Sequence, residues 1–162
     1  MQSVFLSRYV RLFLAEVLGT FLLVLIGDGA VAQVVLGNVS KKNTFFGGFL
    51  NIALGYGLAL MVGICASGGI SGGHLNPAVS LAMGVVKKLE WRKVPLYMAA
   101  QYLGAFLGAV VLWGNYKDAI TMAEEAALPS NSTGQVKYTS ATQGIFATYP
   151  FFDVEKVWHV LV

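Results

Sequence analysis

Three predominantly apolar runs, residues 12–36, 45–66 and 94–116, constrain this chain more than any other feature, because each is long enough to cross a bilayer. About 20 apolar residues, rising about 1.5 Å each, cover a hydrocarbon core about 30 Å thick. Lipid offers no partner to backbone N–H and C=O groups, so such runs must be helices. The predicted fold class is an all-α membrane protein with three transmembrane helices. Composition agrees: of 162 residues, 56% are hydrophobic and 12% charged, against about 25% charged in ordinary soluble domains. The first run continues past signal-peptide length without a small-residue cleavage pattern and is read as a retained span.

A fourth apolar stretch, residues 76–86, cannot span, since its 11 residues reach only about half way across. Before it lies Ser67-Gly68-Gly69-Ile70-Ser71-Gly72-Gly73-His74-Leu75, which reads as extended chain because repeated glycine carries a large entropy cost in a helix. No charge interrupts the run, so it stays at membrane depth, where irregular backbone must be buried in protein or line water. A re-entrant loop followed by a half helix is the economical arrangement. Asn76-Pro77-Ala78 supplies the helix start: Asn is a strong N-cap, and Pro suits the first helical position. Near the bilayer midplane the carbonyls of Gly72, Gly73, His74 and Leu75 would make a polar track. There the Asn76 amide would donate, and the half-helix dipole would place positive potential at the centre. Cations and protons would be repelled while neutral solutes exchange hydrogen bonds.

Other chemistry finds little support. Cys65 is the single cysteine, so no disulfide framework or cysteine-based metal site can be built within the chain. No metal-ligand cluster is spaced for binding, and neither a metal nor a cofactor is expected. Ser71 and His74 would be the nucleophile and base of an intramembrane enzyme, but no orienting carboxylate is spaced to complete a triad. No catalytic residue is assigned, and nucleic acid is not an expected partner. Glu16 is an intramembrane carboxylate, costly unless paired and therefore functional or structural. Gly104-Ala105-Phe106-Leu107-Gly108, extended backwards by Ala100, and the glycines at 55, 57 and 63 suggest close helix packing.

Basic residues set an orientation. Arg8, Arg11, Lys87, Lys88, Arg92 and Lys93 put six charges on one side of the membrane, against four on the other from Lys41, Lys42, Lys117 and Lys137. The positive-inside rule then places the amino terminus in the cytoplasm. Two Asn-x-Ser/Thr sequons begin at Asn38 and Asn131 on the opposite side; Asn131, within the polar segment 117–149, is the better glycosylation candidate.

Ser71-Gly72-Gly73-His74-Leu75-Asn76-Pro77-Ala78-Val79-Ser80 resembles the first NPA signature of the aquaporin superfamily. Ala15-Glu16-Val17-Leu18-Gly19-Thr20, Trp91-Arg92-Lys93-Val94-Pro95-Leu96-Tyr97 and Gln101-Tyr102-Leu103-Gly104-Ala105-Phe106-Leu107-Gly108-Ala109 look like the same family. Gly144-Ile145-Phe146-Ala147-Thr148-Tyr149-Pro150 resembles its glycerol-conducting branch, the aquaglyceroporins. The resemblance implies a right-handed bundle of six spans and two half helices, with one pore per subunit and homotetrameric assembly when complete. Water and glycerol would be the permeants, and the plasma membrane the location. It also implies roles: Asn76, with Pro77 and Ala78, as midplane donor and helix start; Gly72, Gly73, His74 and Leu75 as carbonyl ladder; Tyr56 as an aromatic of the outer selectivity filter. Glu16 would buttress the pore loop, and Gln101 would brace it likewise. His74 would fix the loop, with contact to pore water as a second role; Tyr56 has the alternative of facing lipid.

The match covers about residues 8–152, which organises the chain as an amino-terminal repeat, 1–152, and a divergent tail, 153–162. The sequence contains one Asn-Pro-Ala, and neither a second nor the filter arginine has a counterpart in it. The short, charged tail reads as a truncation, an alternative ending or the mark of an incomplete gene model. The family builds its pore from two inverted repeats, so the chain reads as a first-half fragment. By itself it is expected not to conduct, with Glu16 deprived of the loop it braces in relatives. The alternative is a non-conducting form that associates with full-length channel subunits and perturbs them.

Overall fold

The computed structural model describes residues 7–39, 46–127 and 140–148. In chain order they form α1 (Arg8–Val39), α2 (Phe49–Ser71), α3 (Pro77–Val85), a 3-10 turn (Trp91–Lys93), α4 (Val94–Ala127) and α5 (Ser140–Gln143). No strand occurs among the described residues. The three long helices α1, α2 and α4 are each long and apolar enough to cross a membrane. The short α3, with 9 residues, extends about 13 Å.

α1 is the centre of the bundle, packed along both α2 and α4. Lipid supplies no hydrophobic force between helices, so their association depends on close van der Waals fit. Glycines provide it. A Cβ added to Gly104 or Gly108 would lie 2.4 Å from the Val17 carbonyl oxygen or 2.9 Å from that of Phe21. On the other side of α1, a Cβ at Gly63 would lie 2.8 Å from the Gly19 carbonyl oxygen, and one at Gly55 would lie 2.4 Å from Ala30 Cβ. Ala100, fully buried, continues the α4 seam. Gly57 departs from the predicted pattern: nothing lies within 4 Å of its Cβ position, so it packs against no neighbouring helix among the described residues.

Two boundaries differ most from expectation. α2 does not end at residue 66 but runs through Ser67, Gly68 and Gly69 to Ser71, and stops at Gly72, which takes a left-handed φ of 92°. Ser67 Oγ donates back to the Gly63 carbonyl, and Ser71 Oγ lies 2.5 Å from Glu16 Oε1. These ties to the helix and to α1 override the poor helix propensity of two glycines, so the break waits for the third. α4 likewise does not stop at 116 but continues to Ala127. Ile120 and Ala123 are buried in one cluster with Val31, Ala32, Leu36 and Ile145. Buried Glu124 accepts a hydrogen bond from the Thr142 hydroxyl. The polar segment predicted from Lys117 onward therefore begins as helix. Asn131 and the tail 153–162 lie outside the described residues.

Candidate functional site

Between α2 and α3 the chain makes a tight return. Gly73 lies back against α2, its Cβ position 3.4 Å from the Cα atoms of Gly68 and Ile64. Gly72, Gly73 and Leu75 all have positive φ, at 92°, 63° and 51°. For a leucine this is a strained conformation that persists only where the surroundings over-determine it. The surroundings here do so. The Leu75 side chain, 2% exposed, fills the notch left by Gly19 and Gly63, where its methyl carbons would be 2.3 and 2.7 Å from added Cβ atoms. Its N–H donates to Glu16 Oε2 at 2.8 Å.

Glu16 is the hub of the loop. Fully buried, it accepts on Oε1 from Ser71 Oγ at 2.5 Å and from the His74 N–H at 3.0 Å. On Oε2 it accepts from the Leu75 N–H and from Gln101 Nε2, each at 2.8 Å. A buried carboxylate is tolerable only when its lone pairs are filled in this way. The expectation that Glu16 lacks a loop to brace is thus overturned: it holds residues 71–75 of its own chain. Gln101 Nε2 also donates to Ser80 Oγ at 2.8 Å, and Ser80 Oγ lies 3.1 Å from His74 Nδ1. The Tyr97 hydroxyl donates to the Ser71 carbonyl at 2.8 Å, and its ring packs tilted against His74 with centroids 5.0 Å apart. Ser71 and His74 are each engaged with the brace, not with one another.

One consequence for the backbone follows from counting partners. The Gly72 N–H donates to the Gly68 carbonyl and the Gly73 N–H to Ser71 Oγ, while those of His74 and Leu75 reach Glu16. All four donors point into the protein. None of the four carbonyls, Gly72 to Leu75, accepts from a described residue. Asn76 follows as N-cap of α3, its Oδ1 accepting from the Ala78 N–H at 2.8 Å, with Pro77 in the first turn. Using Oδ1 as the cap leaves the amide N–H groups of this exposed residue as donors.

Tyr56 sits apart from the loop, seven residues before Gly63 on α2, or about 10 Å along the helix. Its ring covers Gly27, whose Cβ position is 2.6 Å from two ring carbons, and its hydroxyl donates to Asp28. The side chain therefore turns toward α1, not toward lipid. Asp28, Ser80 and Tyr97 were not singled out from the sequence. For Asp28 the signal was present, a carboxylate inside an apolar span as at Glu16. Ser80 and Tyr97 carry no such signal, because a hydroxyl's partner depends on the fold.

Comparison with known proteins places this geometry in context. The sequence profile of the major intrinsic protein family matches residues 3–151. The chain is 49% identical over 136 residues to aquaglyceroporin-2 of Rhizophagus irregularis, covering 84% of this chain and 40% of that protein. It is 43% identical over 139 residues to aquaporin-9 of Homo sapiens, covering 85% of this chain and 43% of that one. The X-ray structure of the aquaglyceroporin from Plasmodium falciparum superposes with a TM-score of 0.64 at 38% identity, covering 73% of this chain and 48% of that one. The chain thus spans less than half the length of these relatives.

Proposed function

Because the chain belongs to the major intrinsic protein family, we propose that it builds one half of a membrane pathway for water, glycerol and similar small uncharged solutes. The observation that carries this reading is the polarity of the run from Gly72 to Leu75, with every N–H turned inward and the four carbonyls without a partner among the described residues, followed by Asn76. A row of free acceptors ending at an amide donor matches the hydrogen bonds that a hydroxylated solute gives and takes. Behind the donor, the amino end of α3 contributes positive potential that disfavours cations. Tyr56, held by Asp28, lies about 10 Å further along α2, where it narrows the path. Glu16 and Gln101 brace the track and do not touch the permeant. Complete subunits assemble as homotetramers in the plasma membrane under the same proposal, with the amino terminus in the cytoplasm.

The test is a chimera in which residues 8–148 replace the matching segment of the Rhizophagus aquaglyceroporin. At equal surface expression it should pass glycerol, and Asn76→Asp should cut that flux at least tenfold or admit cations, because a fixed charge then meets the solute at the half-helix end. Flux and selectivity unchanged by Asn76→Asp would make Asn76 a cap only. The chain reconstituted by itself is expected to swell liposomes in glycerol no faster than protein-free vesicles. Swelling that Asn76→Asp abolishes would show a complete pathway built from this chain.

A further inference from the structure

At the end of α3 remote from Asn76, four cationic side chains meet around one cleft of about 500 Å3. They come from three places: Arg8 from the start of α1, Lys87 and Lys88 from the turn after α3, and Lys93 from the 3-10 turn that leads into α4. Among the described residues the only carboxylate lining it, Glu90, pairs with Lys93 at 2.5 Å. Hydrogen bonding from Lys93 holds the Glu90 carboxyl below its usual range, so it is ionised at neutral pH. Four cations and one anion leave the described lining at +3.

The turn that presents two of these charges is unusual. The Lys88 and Leu89 N–H groups both donate to the Met83 carbonyl, at 2.9 and 3.0 Å, and this closure puts Lys87 at a φ of 60°. A left-handed residue closing a helix is ordinarily glycine. A lysine there carries strain, and it lines the cleft together with Lys88, Arg8 and Lys93. An apolar shoulder adjoins the charges: Trp91, Val85 and Val86 are 57%, 63% and 59% exposed. Trp with adjacent Lys and Arg is the residue set of a membrane–water boundary.

We propose that this cleft binds the phosphate-bearing headgroup of an anionic membrane lipid. A phosphate would relieve the mutual repulsion of Arg8, Lys87 and Lys88, whereas Lys93 already has Glu90. The exposed Trp91, Val85 and Val86 give the lipid's glycerol backbone and upper acyl chains a surface, which a free phosphate would not use. Each basic residue beside an anionic membrane surface strengthens attraction by about fivefold.

Native mass spectrometry of the full chain in detergent, with equal phosphatidylinositol 4-phosphate and phosphatidylcholine, tests this. Wild type should retain the phosphorylated lipid preferentially. The double variant Lys87→Gly, Lys88→Gln should retain about thirtyfold less, with phosphatidylcholine unaffected. Glycine suits the backbone at position 87, so the variant keeps its fold, checked by its helical circular dichroism. Lys117→Gln, far along α4, should bind as wild type does. Equal retention by wild type and the double variant would overturn the proposal. So would complete release of the lipid by millimolar inorganic phosphate, which would make the cleft a site for free anions.

Discussion

Glu16 concentrates more of the loop's energetics than any other side chain, and its two oxygens are not interchangeable with an amide. Oε1 receives Ser71 Oγ and the His74 N–H; Oε2 receives the Leu75 N–H and Gln101 Nε2. In Glu16→Gln one of these oxygens becomes an NH2 group, so whichever way the amide turns, two donors face a donor. Each buried donor left unmade costs about 1–3 kcal/mol, and the variant should lose about 3 kcal/mol. Thermal unfolding in detergent measures this, and a midpoint within a degree of wild type would remove Glu16 from the brace. Leu75 should feel the same change, because its positive φ is held by that N–H and by the glycine notch. Glu16 was legible as a residue in need of partners, since an intramembrane carboxylate must find some. Which partners it found was not, because three of the four lie 55 to 59 positions away and the fourth, Gln101, 85. Asp28 falls under the same rule although it was not singled out from the sequence: it too is a carboxylate inside an apolar span, and its partner is Tyr56.

Among the helices, hydropathy and length located the three spans and the half helix, while their ends escaped. Composition marks where lipid-facing chain begins to turn polar; it does not mark where backbone hydrogen bonding stops. α2 therefore passed its predicted end, because serines and a tertiary contact to α1 support Gly68 and Gly69. α4 passed its own because Ile120 and Ala123 are buried beyond the first lysine. The glycine pattern was legible as close packing at Gly104, Gly108, Gly55 and Gly63 but misleading at Gly57, since spacing does not reveal which face meets a neighbour. A paired substitution separates the two kinds. Gly104→Ala places a Cβ 2.4 Å from a backbone carbonyl oxygen, and forcing α1 and α4 apart should cost about 1–3 kcal/mol. Gly57→Ala, with open space around it, should instead gain up to about 1 kcal/mol of helix propensity. Unfolding midpoints in detergent should move in opposite directions; a shift of the same sign in both would mean that the α1–α4 seam is not held by Gly104.

At the scale of the molecule, the bundle sorts its charges to its two ends. Arg8, Lys87, Lys88 and Lys93 share one cleft, so the start of α1, the end of α3 and the start of α4 lie on one side of the membrane. The far ends of α1 and α4 meet at the other, where Val31 and Leu36 pack with Ile120 and Ala123. That agrees with the grouping of Arg8, Lys87, Lys88 and Lys93 on one side made from the sequence; Lys41, Lys42 and Lys137 lie outside the described residues, and which side faces the cytoplasm is a matter for experiment. Under the orientation proposed above, the positive-inside rule would put the basic cleft on the cytoplasmic side, since lysine and arginine near span ends resist translocation. Cysteine labelling reads this directly. With Cys65 changed to serine, Glu90→Cys introduces a thiol beside the cleft, and Asn131→Cys one beyond the opposite end of α4. An impermeant maleimide applied to intact cells should label the thiol at 131 and reach the one at 90 only after permeabilisation. The reverse pattern would invert the orientation and move the basic cleft, with its lipid, to the outer leaflet. Labelling of both thiols in intact cells would mean that copies insert both ways, the one arrangement in which two identical inverted repeats could face each other across a pore.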